Sequence, residues 1–229
     1  MYFNNNMKIS SHKINFIIIL LYILVASVFT ILLLGLDNIS IKRIDWIFHG
    51  NDMTHHYVGW NFFKNDIWRF PLGSNPNYGL EIASSIIYAD SIPLLAFFFK
   101  IFKGYLPLNF QYFSIWIFLC FFFQGFFSYY LIKKYTNNLL YSVIGSFFFI
   151  ISPIFICRLG IHIALAGHWL ILACFLVQAS SSKKFRNINW NILIVCSLLV
   201  HFYLAAMCII IYGFFLIEEF IKEKKIKYF

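Results

Sequence analysis

The sequence has little charge and none of the motifs that mark common soluble enzymes. Only 12% of its 229 residues are charged, whereas 61% are hydrophobic and the mean hydropathy is +0.77. A soluble domain usually carries about twice that charged fraction. No Walker A, GxSxG, HExxH or Rossmann pattern occurs. The composition excludes a soluble enzyme and predicts an all-α, polytopic membrane helix bundle.

The cysteines and the basic residues exclude two further classes of protein. None of the five cysteines belongs to a CxxC pair, and each lies inside or at the end of an apolar run. A disulfide framework and a zinc site are therefore not expected. The net charge of +9 does not indicate nucleic-acid binding, because the basic residues form short clusters between apolar runs. The positive-inside rule produces that spacing in membrane proteins.

Long apolar runs predict about six membrane spans, since about 20 apolar residues cross a bilayer. The predicted spans are residues 14–36, 110–132, 139–157 and 163–179, followed by a two-helix hairpin over 190–221. That last run is too long for one span and is expected to turn near His201. Residues 37–109 form a long outer loop, in which 92–102 is an interfacial or re-entrant helix.

The basic clusters orient these spans. If residues 1–13 and the tail 222–229 lie in the cytoplasm, nearly all Lys and Arg outside the long loop fall on the cytoplasmic side. Arg158 is the exception, in a short outer loop. The distribution predicts a multi-pass protein with a cytoplasmic N-terminus.

Polar side chains collect on the predicted outer face. No acidic residue lies between Asp90 and Glu218, which argues against an ion-coupled transporter with membrane-embedded carboxylates. Every histidine except His12 maps to the outer face or just beneath it, together with Arg158. A substrate with a lipid in the membrane and a phosphate at the surface would need such a face. The alternative is that loops collect polar residues without any functional role.

Within this face, Asp52, His55 and His56 form the densest cluster. On a helix Asp52 faces the two histidines at i+3 and i+4, so the three could form an acid–base pair or a metal site. Asp52 could equally be the N-cap of an interfacial helix. Glu81 could orient a sugar hydroxyl or a metal, or form a salt bridge with Arg69.

Several segments carry a resemblance to known families. One apolar anchor, then a long outer loop that opens with Gly50-Asn51-Asp52 and aromatics, is similar to the GT-C class of integral-membrane glycosyltransferases. More closely, "WRFPLG-NPNYG", "DSIPLLA" and "RLG-H-ALAGHW" resemble an uncharacterised family of bacterial polytopic proteins thought to share that architecture. The resemblance runs from about Asp45 to Tyr203 and implies a location in the bacterial inner membrane.

The GT-C resemblance implies transfer of a sugar from a polyprenyl-phosphate donor on the non-cytoplasmic face, with inversion at the anomeric carbon. Asp52 would be the base, with His55 or His56 tuning it. Arg158, His162 and His168 would hold the donor phosphate and the acceptor. The loop has Asn-Asp-Met in place of a paired Asp-x-Asp, so we assign no metal ligand and no cofactor, with a divalent metal as the less favoured alternative.

The expected function is a GT-C-like glycosyltransferase or its N-terminal portion, since the chain is shorter than is usual for that class. Its expected partners are the sugar donor, membrane lipids and, if acceptor binding needs one, a second membrane subunit; nucleic acid is not among them. Two alternatives stay open. One is a non-catalytic or truncated component of an envelope-assembly system. The other is a lipid or polyprenyl-phosphate transporter, which would need a polar route through the bundle.

Overall fold

The structure is a computed structural model that describes residues 11–49, 52–79, 81, 83–179 and 183–227. Most of the predicted N-terminal segment 1–13 lies outside these residues, as do Gly50 and Asn51 of the first-loop motif. Within the described part the chain is all-α apart from one short antiparallel strand pair, β1 (Ser74–Asn75) with β2 (Ser84–Ser85). The helices are α1 (Ser11–Leu34), α2 (Asp52–Asn65), α3 (Pro93–Ile101), α4 (Phe113–Thr136), α5 (Leu139–Ile150), α6 (Pro153–Ile161), α7 (Trp169–Gln178), α8 (Lys183–Val200) and α9 (Phe202–Lys227).

Several helices are long and apolar enough to cross a membrane. In the described residues these are Lys13–Leu34, Phe113–Thr136 and Phe202–Lys222. Together α5 and α6 reach the length of a fourth span, although they are bent by 42°. Two further apolar helices, Ile163–Gln178 and Arg186–Val200, are shorter. Length and composition therefore support three or four spans, as expected of a membrane protein.

Proline explains one difference from the predicted boundaries. Residues 139–157 were expected to form one continuous helix, but α5 ends at Ile150 and α6 begins at Pro153. A proline inside a helix lacks the N–H donor and clashes with the preceding turn, whereas the first helical position accommodates it. Pro153 therefore starts a new helix instead of continuing the old one.

Two other predicted segments also have different bounds in the structure. The segment 163–179 opens with a 3-10 turn, Ile163–Ala166, and becomes α-helical only at Trp169. The chain over 190–221 breaks at His201, near the expected turn, but α8 already begins at Lys183 and α9 continues to Lys227. Helices α8 and α9 pack against each other and against α7.

Helix α4 lies at the centre of the bundle and contacts α1, α5 and α7. Gly125 allows α1 to approach closely, because a Cβ there would lie 2.5 Å from the Tyr22 ring. The Tyr22 and Ser146 hydroxyls form a buried hydrogen bond between α1 and α5. A small residue at a close crossing and a polar bond between helices are both typical of membrane helix packing.

The segment between α1 and α4 covers one end of the bundle, which we call the loop end. The Trp60 indole of α2 donates to the Phe110 carbonyl, 3.0 Å away, just before α4. At the same end, the Trp116 indole donates to the Ile163 carbonyl at 2.8 Å. Since α6 and α8 run towards this end, their C-terminal residues also lie there.

Two lysines link α2 and α3 to backbone carbonyls of this segment between α1 and α4. The Lys64 ammonium donates to the Leu108 carbonyl, and the Lys100 ammonium donates to the Ile67 carbonyl. Lys100 is buried and its Nζ stands 3.7 Å from the centre of the Phe63 ring. Such a cation–π contact stabilises the charged form.

Candidate functional site

Asp90 lies in a turn before α3 whose backbone is left-handed. Its φ is +48°, and Ile92 two residues later has φ +51°. Few residues other than glycine adopt this region, and Asp is one of those that tolerate it better than most. Positions with such backbone strain concentrate at functional sites, where the surrounding structure maintains them.

Three hydrogen bonds hold this turn against α2 and the start of α4. His56 Nδ1 lies 2.9 Å from the Ala89 carbonyl, and Ser91 Oγ donates to the His56 carbonyl at 2.6 Å. The Tyr112 hydroxyl donates to the Ser91 carbonyl. Because His56, Ser91 and Tyr112 are all buried, these bonds hold the backbone on both sides of Asp90 in place.

Two histidines from distant segments meet this carboxylate. His162 follows α6, and its Nε2 lies 3.7 Å from Asp90 Oδ2. His201, at the break between α8 and α9, places its Nε2 3.2 Å from Asp90 Oδ1. One ligand atom from each of the three residues lies within 4.8 Å of the others. We call Asp90, His162 and His201 the loop-end cluster.

The tautomer of His201 follows from its second nitrogen. His201 Nδ1 accepts the backbone N–H of Tyr203 at 3.1 Å. A neutral imidazole has one donor and one acceptor nitrogen, so its proton is on Nε2. His201 therefore donates a hydrogen bond to Asp90.

His56 lies behind the cluster, with its ring centre 5.3 Å from that of His162. The Ala89 carbonyl can only accept, so His56 carries its proton on Nδ1 and leaves a lone pair on Nε2. Among the described residues, neither that buried Nε2 nor the buried His162 Nδ1 has a hydrogen-bond partner. Unpaired buried nitrogens are uncommon in folded proteins.

Burial and neighbouring charges determine the protonation of these groups. Burial alone would raise the pKa of the Asp90 carboxyl, but the hydrogen bond from His201 and the nearby imidazoles outweigh it and hold that pKa below its usual value. Burial lowers the pKa of His56, and the Ala89 carbonyl only partly offsets this. At neutral pH Asp90 is therefore ionised and His56 is neutral.

A cavity of about 580 Å³ opens on all three residues of the cluster. Pro93, Leu198 and Phe202 contribute apolar walls to it. Cavities in this size range hold small molecules or part of a larger ligand, and a few polar groups in an apolar lining orient it. The loop-end cluster is thus the polar corner of a ligand-sized, largely apolar cavity.

Comparison with known proteins assigns the chain to a family. Residues 23–228 match a family model described as a domain of unknown function, DUF6311. The chain belongs to the DUF6311 family. No curated protein and no solved structure matches it. The family description states no activity for DUF6311 proteins.

The predicted catalytic residues separate on helix α2 of this DUF6311 chain. Asp52 is the first residue of α2 and is exposed, and its charge acts on His56 one turn further along. His55 points elsewhere: it is exposed and its Nδ1 lies 2.5 Å from the Tyr78 hydroxyl. Helix α2 therefore brings Asp52 and His56, but not His55, towards the loop-end cluster.

Among the predicted substrate-binding residues, His162 alone belongs to the cluster. Arg158 is exposed on α6. His168 packs against the Phe155 ring and lies close enough to Arg158 to interact with its charge. Glu81 is exposed, and no hydrogen bond or ion pair between described residues joins it to the cluster. A salt bridge between Glu81 and Arg69 was the expected alternative. In the structure Arg69 pairs with Asp66 instead, at 3.0 Å.

Two members of the cluster were not selected from the sequence. Asp90 was counted only among the acids of the long loop, and His201 only as the turn of a hairpin and one of the histidines of the predicted outer face. The available signals were weak: Asp90 is the last acid before a long acid-free stretch, and His201 interrupts an apolar run. Neither signal indicates that the two side chains meet.

Proposed function

We propose that this DUF6311 chain is a GT-C-like membrane glycosyltransferase, or the N-terminal portion of one. It transfers a sugar from a polyprenyl-phosphate donor at the outer face of the bacterial inner membrane. The observation that carries the proposal is the apolar cavity with a fixed carboxylate and two imidazoles at one end of an apolar helix bundle. A donor with a lipid tail and a polar head requires that combination.

The topology we propose has about six spans, with the N-terminus in the cytoplasm and residues 37–109 outside. In this arrangement α7 and α8, although short, each cross the membrane, and α5 with α6 form one bent span. The direction of the helices supports it, because the loop-end cluster and α2 lie at one end. The basic residues Lys133, Lys134 and Arg186 lie on the opposite side, where Arg186 pairs with Glu219.

Asp52 is the base in this proposal, as the GT-C resemblance implies. Its exposed carboxylate can take the proton of an acceptor hydroxyl, whereas Asp90 already accepts a hydrogen bond from His201. The acceptor oxygen then forms a bond to the anomeric carbon as the bond to the donor phosphate breaks. The polyprenyl phosphate leaves with that electron pair. In this proposal Arg158 and His168 hold the phosphate, as the GT-C resemblance implies.

The test is a glycan and lipid profile of cells that carry chromosomal variants. We expect deletion and Asp52→Asn to remove the same envelope glycan and to accumulate the same polyprenyl-phosphate sugar, because loss of a general base slows transfer about 10²- to 10⁴-fold. Asp45→Asn is the matched control, since Asp45 is an exposed carboxylate of the same loop that pairs with Arg43 at 2.8 Å. It should leave the profile unchanged.

Three results would end the proposal. A deletion strain with an unaltered glycan profile would exclude sugar transfer by this chain. An Asp52→Asn strain that matches wild type, while the deletion strain does not, would favour a non-catalytic membrane component. Accumulation of the lipid-linked sugar on the cytoplasmic side alone would instead indicate a transporter.

A further inference from the structure

We propose that Asp90, His162 and His201 bind one divalent transition-metal ion of the zinc class. The inference goes beyond sugar transfer and does not depend on it. It rests on the geometry of the loop-end cluster, on the chemistry of its donor atoms and on two buried nitrogens that have no partner.

The three side chains already surround a volume that fits one ion. Asp90 Oδ1 lies 3.2 Å from His201 Nε2, and Asp90 Oδ2 lies 3.7 Å from His162 Nε2. Metal–ligand bonds to nitrogen or oxygen of about 2.0–2.2 Å separate neighbouring ligand atoms by roughly 3–4 Å. All three ligand atoms lie within 4.8 Å of one another, so side-chain rotations that shorten the longest separation would bring them around one ion.

The kind of donor atom selects the class of ion. Two imidazoles and one carboxylate suit zinc, iron, nickel or copper, whereas calcium and magnesium prefer oxygen ligands. Three protein ligands leave at least one position open. Since the cavity of about 580 Å³ borders all three residues, that position would face the cavity and be available to water or a ligand.

A second observation comes from the two unpaired nitrogens next to the cluster. His56 is 1% exposed, and the lone pair of its Nε2 has no partner in the part of the chain that the structure describes. If His162 binds a metal through Nε2, its proton must be on Nδ1, which is the other unpaired nitrogen. With the two rings 5.3 Å apart, a small rotation lets His162 Nδ1–H donate to His56 Nε2. Metal-bound histidines usually donate their second N–H in this way.

His201 has to change its tautomer when the ion binds. Its Nε2 proton moves to Nδ1, where it faces the Tyr203 N–H. Two donors 3.1 Å apart repel, so the His201 ring has to turn away from this contact. Tyr203 is in the first turn of α9, where backbone N–H groups have no acceptor within the helix and water can replace His201. The change in tautomer therefore removes one capping hydrogen bond.

Direct metal binding tests the proposal. The full chain is purified in detergent with a tag that contains no histidine, treated with a chelator and titrated with Co²⁺, which gives visible absorption when protein ligands bind it. We expect one Co²⁺ per chain, displaced by Zn²⁺. Asp90→Asn and His162→Gln should each weaken binding at least about 100-fold, beyond the 10- to 100-fold typical of residues that only support a ligand.

The choice of variants keeps the result interpretable. Asn adopts positive φ readily, so Asp90→Asn preserves the left-handed turn while it removes the charge. His55→Gln is the matched control, because this exposed histidine of α2 is outside the cluster, and its Co²⁺ affinity should equal that of wild type. Thermal unfolding followed by Trp fluorescence verifies that each variant is folded.

The proposal is overturned if the wild-type chain binds no Co²⁺, or if folded Asp90→Asn and His162→Gln chains bind it as tightly as wild type. Neither result concerns sugar transfer, which is measured separately on cells with Asp52→Asn. Metal binding without sugar transfer would support this inference and contradict the proposed function. Sugar transfer without metal binding would support the proposed function and contradict this inference.

Discussion

The substitution Gly59→Ala tests whether contact between α2 and the Asp90 turn determines the site. A Cβ at Gly59 would lie 2.3 Å from the Ala89 Cβ and 3.0 Å from Ser91 Oγ. Neither neighbour can move away alone, because the Ala89 Cβ is attached directly to the backbone and Ser91 Oγ donates to the His56 carbonyl. The added methyl group must therefore displace the turn relative to the helix.

The size of the effect follows from these distances. Carbon atoms in contact are usually about 3.5–4.0 Å apart, so the two segments must separate by more than about 1 Å. Overpacking of this kind costs about 1–3 kcal/mol, of which the better helix propensity of Ala recovers about 0.5–1 kcal/mol. The net loss is about 0.5–2 kcal/mol, which for a chain of this length lowers Tm by about 1–8 °C. A shift of about 1 Å at Asp90 should also weaken Co²⁺ binding, since the site depends on its geometry.

Trp fluorescence during heating of the detergent-purified chain measures Tm, and a Co²⁺ titration measures the affinity of the loop-end cluster for the ion. Gly213→Ala is the control, because Gly213 is also helical and a Cβ there would have nothing within 4 Å. It should leave Tm unchanged or raise it. If Gly59→Ala has the Tm and the Co²⁺ affinity of Gly213→Ala, the reasoning about the α2 contact is refuted.

Three further predictions concern the rest of the fold. Burial lowers the pKa of Lys100 from 10.5 to about 8, so the folded chain binds fewer protons than the unfolded chain between these values, and its stability rises with pH there. The expected gain in the free energy of unfolding is about 1–2 kcal/mol. It is smaller than the full pKa shift implies, because the Phe63 ring stabilises the charge. Lys100→Met should abolish the corresponding rise in Tm between pH 7.5 and 10. Gly125→Ala should destabilise the bundle by about 1–3 kcal/mol through its clash with Tyr22; an unchanged Tm would contradict the close α1–α4 approach. Asn138→Ala removes the side-chain cap on the Tyr141 N–H and should cost about 1 kcal/mol, whereas Asn138→Asp should not.

The class of protein follows from composition, because apolar area and charge are sums over the chain and need no knowledge of its path. Helical periodicity is equally local, so the facing of Asp52 and His56 across one turn could be derived from their spacing. The ends of the helices were harder to predict from the sequence. A long apolar run over 139–157 indicates a span, but whether Pro153 bends one helix or begins another depends on what packs around it.

The loop-end cluster, in contrast, is a product of tertiary structure. Asp90, His162 and His201 come from three distant segments, and no local pattern specifies that the ends of α6 and α8 converge on the turn before α3. The turn at Asp90 is also held from outside, because its neighbours Ala89 and Ser91 bond to His56 on α2 and to Tyr112 at the start of α4. The sequence by itself determined a helical membrane protein, and it predicted that polar side chains collect at one face. Only the packing of the helices decided which of those polar side chains meet, since side-chain convergence depends on where helices end in space and not on where residues lie in the chain.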